Sequence, residues 1–323
     1  MYAEFYDMLA DWRLGRIPVT EESNTIVPKN PTSPDALAAD RTRLLGLGPD
    51  NDQEYVGFPR ASSIHDTCIR HHVIGYRHRI LRSNRSIGSN LKLTFLQGSA
   101  IHKLAQNTNA FFGEDEKIGK WKCLACGKTH PFGTHPGQCD YCEAEKPAVT
   151  YKENYTKIDR PGKFQATTHQ DMFIRDTDGA IRVVEFKTMA TSTFRDLVSP
   201  LAAHEWQVIL TSTMAAADLE LRKIEPVSCD YAYILYISKG HLKGTFPLKM
   251  FRVDRTEKLW SRIREKVRLF ATHTAEKTLP EPHPECVSSG FDAWRTRMCP
   301  CKKMCQTYRN YNDGEIPEWE GDT

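Results

Sequence analysis

An α/β fold is predicted by three observations: a hairpin whose second strand is apolar on both faces, strand signals interleaved with helical ones, and a closing amphipathic helix. The hairpin has a first strand at about Lys163 to Arg175, a turn at Asp176-Thr-Asp-Gly179, and a second strand at about Ala180 to Thr188. An Asp-Gly step between two such runs is a strong hairpin signal. Ile181, Val183, Val184 and Phe186 form the nearly continuous apolar run of a strand covered on both sides. Further strands are expected at about Val149 to Asn154, Cys229 to Ser238 and Thr245 to Val253, with a helix at about Ser199 to Glu220. The last helix, about Arg255 to Thr274, aligns Leu259, Ile263, Val267 and Phe270 on one stripe and Arg262, Arg264, Lys266 and Arg268 on the other face. Those cations read as a solvated face more readily than as a phosphate track.

The earlier part of the chain is less regular. Residues 1–56 contain Pro28, Pro31, Pro34 and a Gly/Asp-rich run at Gly46 to Asp52, the pattern of short helices and linker. The organised core is expected over residues 57–118 and 148–275. Ser63 followed by Asp66 is a capping-box signal, and Ile64, Cys68, Val73, Tyr76 and Ile80 keep near-helical spacing, which sets Cys68 on a helix's inner face. Phe95 to about Asn109 forms a second helix carrying Gly98, Ile101, His102, Leu104 and Ala105. Residues 311–323, with Asp313, Glu315, Glu318, Glu320 and Asp322, have the composition of a disordered acidic tail.

The chain has 323 residues and a net charge of +3, so it is no polycation and any nucleic-acid surface must be local. No stretch approaches the roughly 20 apolar residues of a membrane span. Met1 to Arg16, with Glu4, Asp7 and Asp11, lacks the basic-then-apolar pattern of a leader. A cytoplasmic protein without membrane contact is expected, which makes ten cysteines a question of metals rather than disulfides.

Cys123-Leu-Ala-Cys126 and Cys139-Asp-Tyr-Cys142 are paired knuckles in a segment, residues 119–147, that has few core-forming aliphatics. Four thiolates around one Zn2+ would fold such a segment, and His130 or His135 could replace one sulfur. This inserted zinc-ribbon module reads first as a staple, with contact to DNA as a side role. A second set joins Cys68 to Cys286, Cys299, Cys301 and Cys305, clamping the two ends of the domain; residues 276–310 form that C-terminal segment. Thiolate chemistry alone does not separate an iron–sulfur cluster from a second zinc there. Cys229 opens an apolar strand and reads as an unligated thiol.

Within the hairpin, Asp171, Glu185 and Lys187 suggest phosphodiester cleavage with a bound divalent metal. Strand alternation sends Glu185 and Lys187 to one side and Phe186 to the other. If the turn folds Asp171 back beside Glu185, two carboxylates can share a hard cation while the ammonium steadies a water or the phosphorus. Charges at the end of so apolar a strand are costly unless paired or metal-bound.

Gly98-Ser-Ala-Ile-His102, Asp171, Glu185-Phe186-Lys187 and Gln207, in that order, resemble the RecB-type branch of the PD-(D/E)XK nucleases. Ser62-Ser-Ile-His-Asp-Thr-Cys68-Ile-Arg70 is similar to the cysteine-bearing helix start of its iron–sulfur subgroup, which includes CRISPR-associated adaptation exonucleases, the AddAB helicase-nuclease and phage recombination exonucleases. The resemblance covers about residues 57–310, with the zinc-ribbon segment as an insertion. Two positions depart from the pattern: Thr211 stands where a tyrosine is common, and Thr168-His-Gln-Asp171 replaces the usual Gly-His-x-Asp, leaving His169 an optional supporting group.

The resemblance implies a restriction-endonuclease-like central mixed sheet flanked by helices. It implies Mg2+ or Mn2+ on His102, Asp171, Glu185 and the backbone carbonyl of Phe186, with Lys187 and Gln207 as further catalytic groups. It also implies a [4Fe–4S] cluster on Cys68, Cys286, Cys299 and Cys305, with Cys301 surplus or standing in for Cys286 or Cys299. The expected activity is that of a DNA exonuclease acting on single- or double-stranded ends in recombination, repair or replication of a phage or mobile element. A recombinase, single-strand annealing protein or helicase would be its partner. The alternative is a zinc and iron–sulfur DNA-binding or assembly protein without nuclease activity.

Overall fold

A computed structural model describes residues 57–65, 68–80, 89–109, 111–145, 148–221, 226–240, 247–290 and 299–308. The expected N-terminal extension over residues 1–56 and the acidic tail lie outside them. Nearly all of the described residues fall in one compact unit. That unit is mixed α/β, with a central mixed sheet flanked by helices.

The strands are β1 (Lys117–Cys123), β2 (Thr129–Gly133), β3 (Val149–Lys152), β4 (Asn154–Arg160), β5 (Phe164–Gln170), β6 (Met172–Arg175), β7 (Ile181–Met189), β8 (Tyr231–Ser238) and β9 (Leu248–Asp254). The sheet runs in the order β2-β1-β6-β7-β8-β9, and β3 also pairs with β1. The predicted hairpin is present: β6 and β7 are antiparallel, with Met172 opposite Val184 and Arg175 opposite Ile181. Asp176 C=O accepts from Gly179 N–H at 2.8 Å, and Gly179 takes the positive φ (+83°) that closes the turn. β7 and β8 are parallel, with Val184 opposite Tyr233 and Lys187 opposite Tyr236, so a crossover must link them. Short helix α3 (Thr191–Asp196) and long helix α4 (Ala202–Leu221) form that crossover. β9 closes the edge antiparallel to β8.

The two faces of the sheet are covered by different helices. Met172, Ile174, Val184, Phe186, Leu235 and Ile237 pack with Ile101 and Ala105 of the helix at Ser89–Asn107, labelled α2 below. Alternation sends Glu185 the other way, toward α4, which packs on β7 and β8. β4 and β5 form a separate two-stranded ribbon seated on α4 and on α5 (Glu257–Glu276).

One predicted strand divides. The run from Lys163 to Arg175 breaks at Asp171 into β5, which pairs with β4, and β6, which joins the central sheet. Period-2 alternation is the same on both sides of such a switch, so the pattern alone did not mark it. A second correction concerns Cys68. The helix there, α1, spans Ile69–Arg77, and Cys68 is its N-cap in extended conformation rather than a residue on its inner face.

The ends of the unit are packed together. Phe58, Val73 and Ile74 meet Phe270 of α5, Leu279, and Cys301, Met304 and Tyr308 around helix α7 (Lys302–Thr307). Arg70, fully buried, donates from Nη1 to the Pro280 carbonyl at 2.7 Å and from Nη2 to the Tyr308 carbonyl. Helix α6 (Pro284–Ser288) lies between α5 and α7 along the chain.

β1 joins the cysteine-bearing segment to the sheet without a break. Its first residues pair with β6, Lys117 opposite Ile174 and Ile118 opposite Phe173, and its later residues pair with β2 and β3. Tyr151 crosses this junction, its hydroxyl donating to Ile118 C=O at 3.0 Å and accepting from Phe173 N–H at 3.1 Å. A Cβ on Gly119 would come within 2.4 Å of the Tyr151 ring. Gly119→Ala should therefore displace that ring and destabilise the protein by about 1–3 kcal/mol. Urea unfolding checks this, and an unchanged midpoint would contradict it.

Candidate active site and thiol clusters

The β6–β7 register, continued one residue past Met172, sets Asp171 opposite Glu185. Asp171 Oδ2 accepts from the Phe186 N–H at 2.8 Å. Glu185 Oε1 accepts from Lys187 Nζ at 2.7 Å and from Gln207 Nε2, one turn into α4. His102 Nδ1, on α2, stands 3.9 Å from Asp171 Oδ2, and its ring lies 5.6 Å from that of Phe186. Five side chains singled out from the sequence thus converge from β7, α2, α4 and the β5–β6 break.

Three neighbours were missed. Gln106, one turn beyond His102, donates from Nε2 to the Asp171 carbonyl at 2.8 Å and to Glu153 Oε1 at 3.1 Å. Lys103 Nζ is 3.5 Å from the same Glu153 oxygen. The i, i+4 spacing of His102 and Gln106 was a usable signal. Glu153, between β3 and β4, read only as part of a strand. The two departing positions are also placed. Thr211 is fully buried and shares a 2.8 Å hydrogen bond with Thr168, so it braces α4 on β5. His169 is exposed, its ring 4.9 Å from that of Tyr155.

Burial governs the charges. It raises the Asp171 carboxyl to about 6, with Lys187 opposing. It raises Glu185 to about 7, and the Asp171 charge adds to the effect. Burial works against the Lys187 ammonium, but Glu185 and Asp171 outweigh it and Lys187 is held more firmly protonated than usual. Burial lowers His102, which favours a neutral ring with a free lone pair. Beyond Lys187, its register partner Tyr236 is hydrogen-bonded to the His204 ring at 2.8 Å, and burial with the Lys187 charge brings His204 down to about 4. Glu185 Oε2 is buried and has no hydrogen-bond partner among the described residues. A buried carboxylate pair with one orphaned oxygen and a neutral imidazole fits a divalent cation held by oxygen and nitrogen donors.

The first thiol cluster is complete. The Sγ atoms of Cys123, Cys126, Cys139 and Cys142 lie within 4.8 Å of one another and could hold a metal such as zinc or an iron–sulfur cluster. Each knuckle is turned by hydrogen bonds: Gly127 N–H to Cys123 C=O and Glu143 N–H to Cys139 C=O, both 2.9 Å, with Gly127 and Glu143 at positive φ. The histidine substitutes considered from the sequence have other roles. His130 Nδ1 is 3.0 Å from Asp140 Oδ2, while the His135 ring packs 4.4 Å from that of Trp121 and its Nδ1 accepts from Gly137 N–H.

The second set is looser. Ligand atoms of His71, Cys299 and Cys301 lie within 4.8 Å of one another, with His71 Nδ1 3.2 Å from Cys299 Sγ. The Cys301 thiol donates to His71 C=O at 3.4 Å. A hydrogen bond from Cys301 brings Cys299 down to about 4. Burial raises Cys68, and the charges of Cys299 and Cys286 raise it further. Burial raises Cys305 to about 11 against the pull of Arg70. The five cysteines expected at the domain ends are therefore electrostatic neighbours.

No helix among the described residues is long and apolar enough to cross a membrane. No protein family and no curated protein matches the chain. Among solved structures, the crystal structure of SSO0001 matches with a TM-score of 0.28 at 17% identity, covering 48% of this chain. The chain spans 58% of the length of that protein.

The acid pair makes stability depend on pH. Both carboxyls titrate higher when folded than the usual unfolded values near 4. The folded state then holds protons that the unfolded state releases, so their contribution is full below about pH 4 and is lost as pH rises through 6 and 7. Without added divalent metal, Glu185→Gln should lose less melting temperature than the unsubstituted protein between pH 5 and pH 8. Parallel losses in the two proteins would show that the pair carries no such linkage.

Proposed function

We propose that the chain is a divalent-metal-dependent DNA nuclease of the RecB-type PD-(D/E)XK class, an exonuclease acting on DNA ends in recombination, repair or replication. The observation that carries this is the convergence of Lys187 and Gln207 on Glu185, whose other oxygen is buried beside Asp171 with no hydrogen-bond partner among the described residues. The mixed β6-β7-β8 arrangement with α4 as crossover supports a restriction-endonuclease-like core.

Asp171, Glu185, His102 and the Phe186 carbonyl would hold Mg2+ or Mn2+. When bound, the ion supplies Lewis-acid stabilisation of a phosphoryl oxygen and a more acidic water. The protein's own groups do the rest. Phe186 N–H fixes one Asp171 oxygen and with it the plane of the carboxylate, which would present its second oxygen to a ligand. Gln207 holds Glu185 from the α4 side and fixes its plane. Lys187, firmly protonated, positions water and stabilises negative charge developing on the phosphate.

The remaining cysteines support two further metals. Cys123 and Cys142 are 3.7 Å apart and Cys126 and Cys139 are 3.8 Å apart. A tetrahedron with Zn–S bonds of about 2.3 Å has edges of about 3.8 Å, so these four would hold one zinc. Cys68, Cys286, Cys299 and Cys305 would carry a [4Fe–4S] cluster, with Cys301, whose Sγ lies within 4.8 Å of Cys299 Sγ, as the substitute for Cys286 or Cys299. A recombinase, annealing protein or helicase would supply the DNA ends.

End-labelled linear and closed circular DNA, incubated with Mg2+ or Mn2+, tests the activity. Linear DNA should be degraded and circular DNA spared; Asp171→Ala should abolish cleavage, and Lys187→Ala should slow it by about 10²–10³. Cleavage undiminished in Asp171→Ala, or none in the unsubstituted protein with either metal, would refute the nuclease reading and leave a DNA-binding or assembly protein. Elemental analysis tests the thiols: one zinc per chain, lost in Cys126→Ser, and iron with labile sulfide, lost in Cys68→Ala. Protein prepared without oxygen that lacks iron would exclude the cluster.

A further inference from the structure

The β4–β5 ribbon has two unlike faces. Asn154, Thr156, Thr168 and Gln170 are buried; Asn154 Nδ2 donates to Gln170 Oε1 at 2.8 Å, Thr156 Oγ1 donates to Asp218 on α4 at 3.3 Å, and Thr168 meets Thr211. Alternate positions face away from α4. There Tyr155 and His169 are direct cross-strand partners with ring centroids 4.9 Å apart, and Tyr155 is 48% exposed. Lys157 lies two residues further along the same face, its Nζ 3.2 Å from Asp159 and 4.5 Å from the Phe58 ring centroid. In the opposite direction the two strands lead to Glu153 and Asp171, the residues bridged by Gln106. Two residues of strand cover about 7 Å. An exposed aromatic pair therefore stands one short step from the acid site, with a cation beyond it.

We propose that Tyr155 and His169 form a stacking platform for a base of single-stranded DNA whose phosphate lies at the Asp171–Glu185 site. This rests on the nuclease reading and gives it a strand preference. Ring faces in a duplex are covered by neighbouring bases, so only an unpaired base can lie on Tyr155, while the backbone follows the ribbon toward Lys157. Stacking is tolerant of sequence, because every base presents a π-face. The substrate is then a single strand or a frayed end rather than an intact duplex.

The test uses the full chain and a single-stranded oligothymidylate carrying 2-aminopurine near one end, with Ca2+ in place of Mg2+ or Mn2+. Stacking should quench the probe. Tyr155→Ala should remove the quenching and weaken binding about tenfold, while Tyr155→Phe retains both. Binding of a blunt duplex should not respond to either change. Tyr155→Phe should melt as the unsubstituted protein does, and Tyr155→Ala should lose only the small part of the melting temperature that its cross-strand contact with His169 contributes. Absence of single-strand binding, equal affinity and quenching in Tyr155→Ala, or a Tyr155→Phe defect as large as that of alanine would overturn the platform. Cleavage measured separately keeps the two readings apart. Cleavage with indifference at Tyr155 sinks the platform alone, and Tyr155-dependent binding without cleavage sinks the nuclease alone.

Discussion

The hydrogen bond from Phe186 N–H to the Asp171 carboxylate ties together two sheets that share one chain. Asp171 is the residue at which the polypeptide leaves the β4–β5 ribbon and enters the central sheet. A backbone N–H at the end of the β6–β7 ladder would otherwise need another partner. The carboxylate supplies it, and this fixes where the ribbon stands relative to the central strand. Gln106 reinforces the join from α2 by accepting no role of its own in the ladder and bonding the Asp171 carbonyl instead. The position of each acidic group thus follows from bonds to the backbone rather than from attraction between charged side chains.

That constraint explains why the site tolerates so much unfavourable electrostatics. Two carboxyls are buried within one cross-strand step, and each is held away from its ordinary titration range by the loss of water. Lys187 offsets part of this cost, yet one Glu185 oxygen is left without a partner among the described residues. Local strain of this kind persists where the surrounding structure over-determines it, as the apolar layer of Val184, Phe186 and Leu235 does here.

The hairpin, the crossover helix and the closing amphipathic helix were legible in the sequence because each carries its own period: two for the strands and 3.6 for the helices. The site residues on regular elements were legible too, since Glu185, Lys187, His102 and Gln207 take their directions from those periods. What escaped was set by long-range geometry. The break at Asp171 has no local mark, Glu153 acquires its meaning only through Gln106, and Cys68 caps α1 where helical spacing had drawn it inside. Thr211 looked like a gap in a pattern, and its role came into view only with Thr168 across from it.

β1 is shared between two regions that look separable on paper. One end of it carries Cys123 of the four-thiol cluster, and the other is hydrogen-bonded to β6, the strand that begins next to Asp171. Trp121, Cys123, Cys139 and Tyr151 belong to the same apolar cluster as Met172 and Phe186. The cysteine segment is therefore not a detachable ornament. Excising it would strip the sheet of an interior strand and open its core, so the two regions should unfold together.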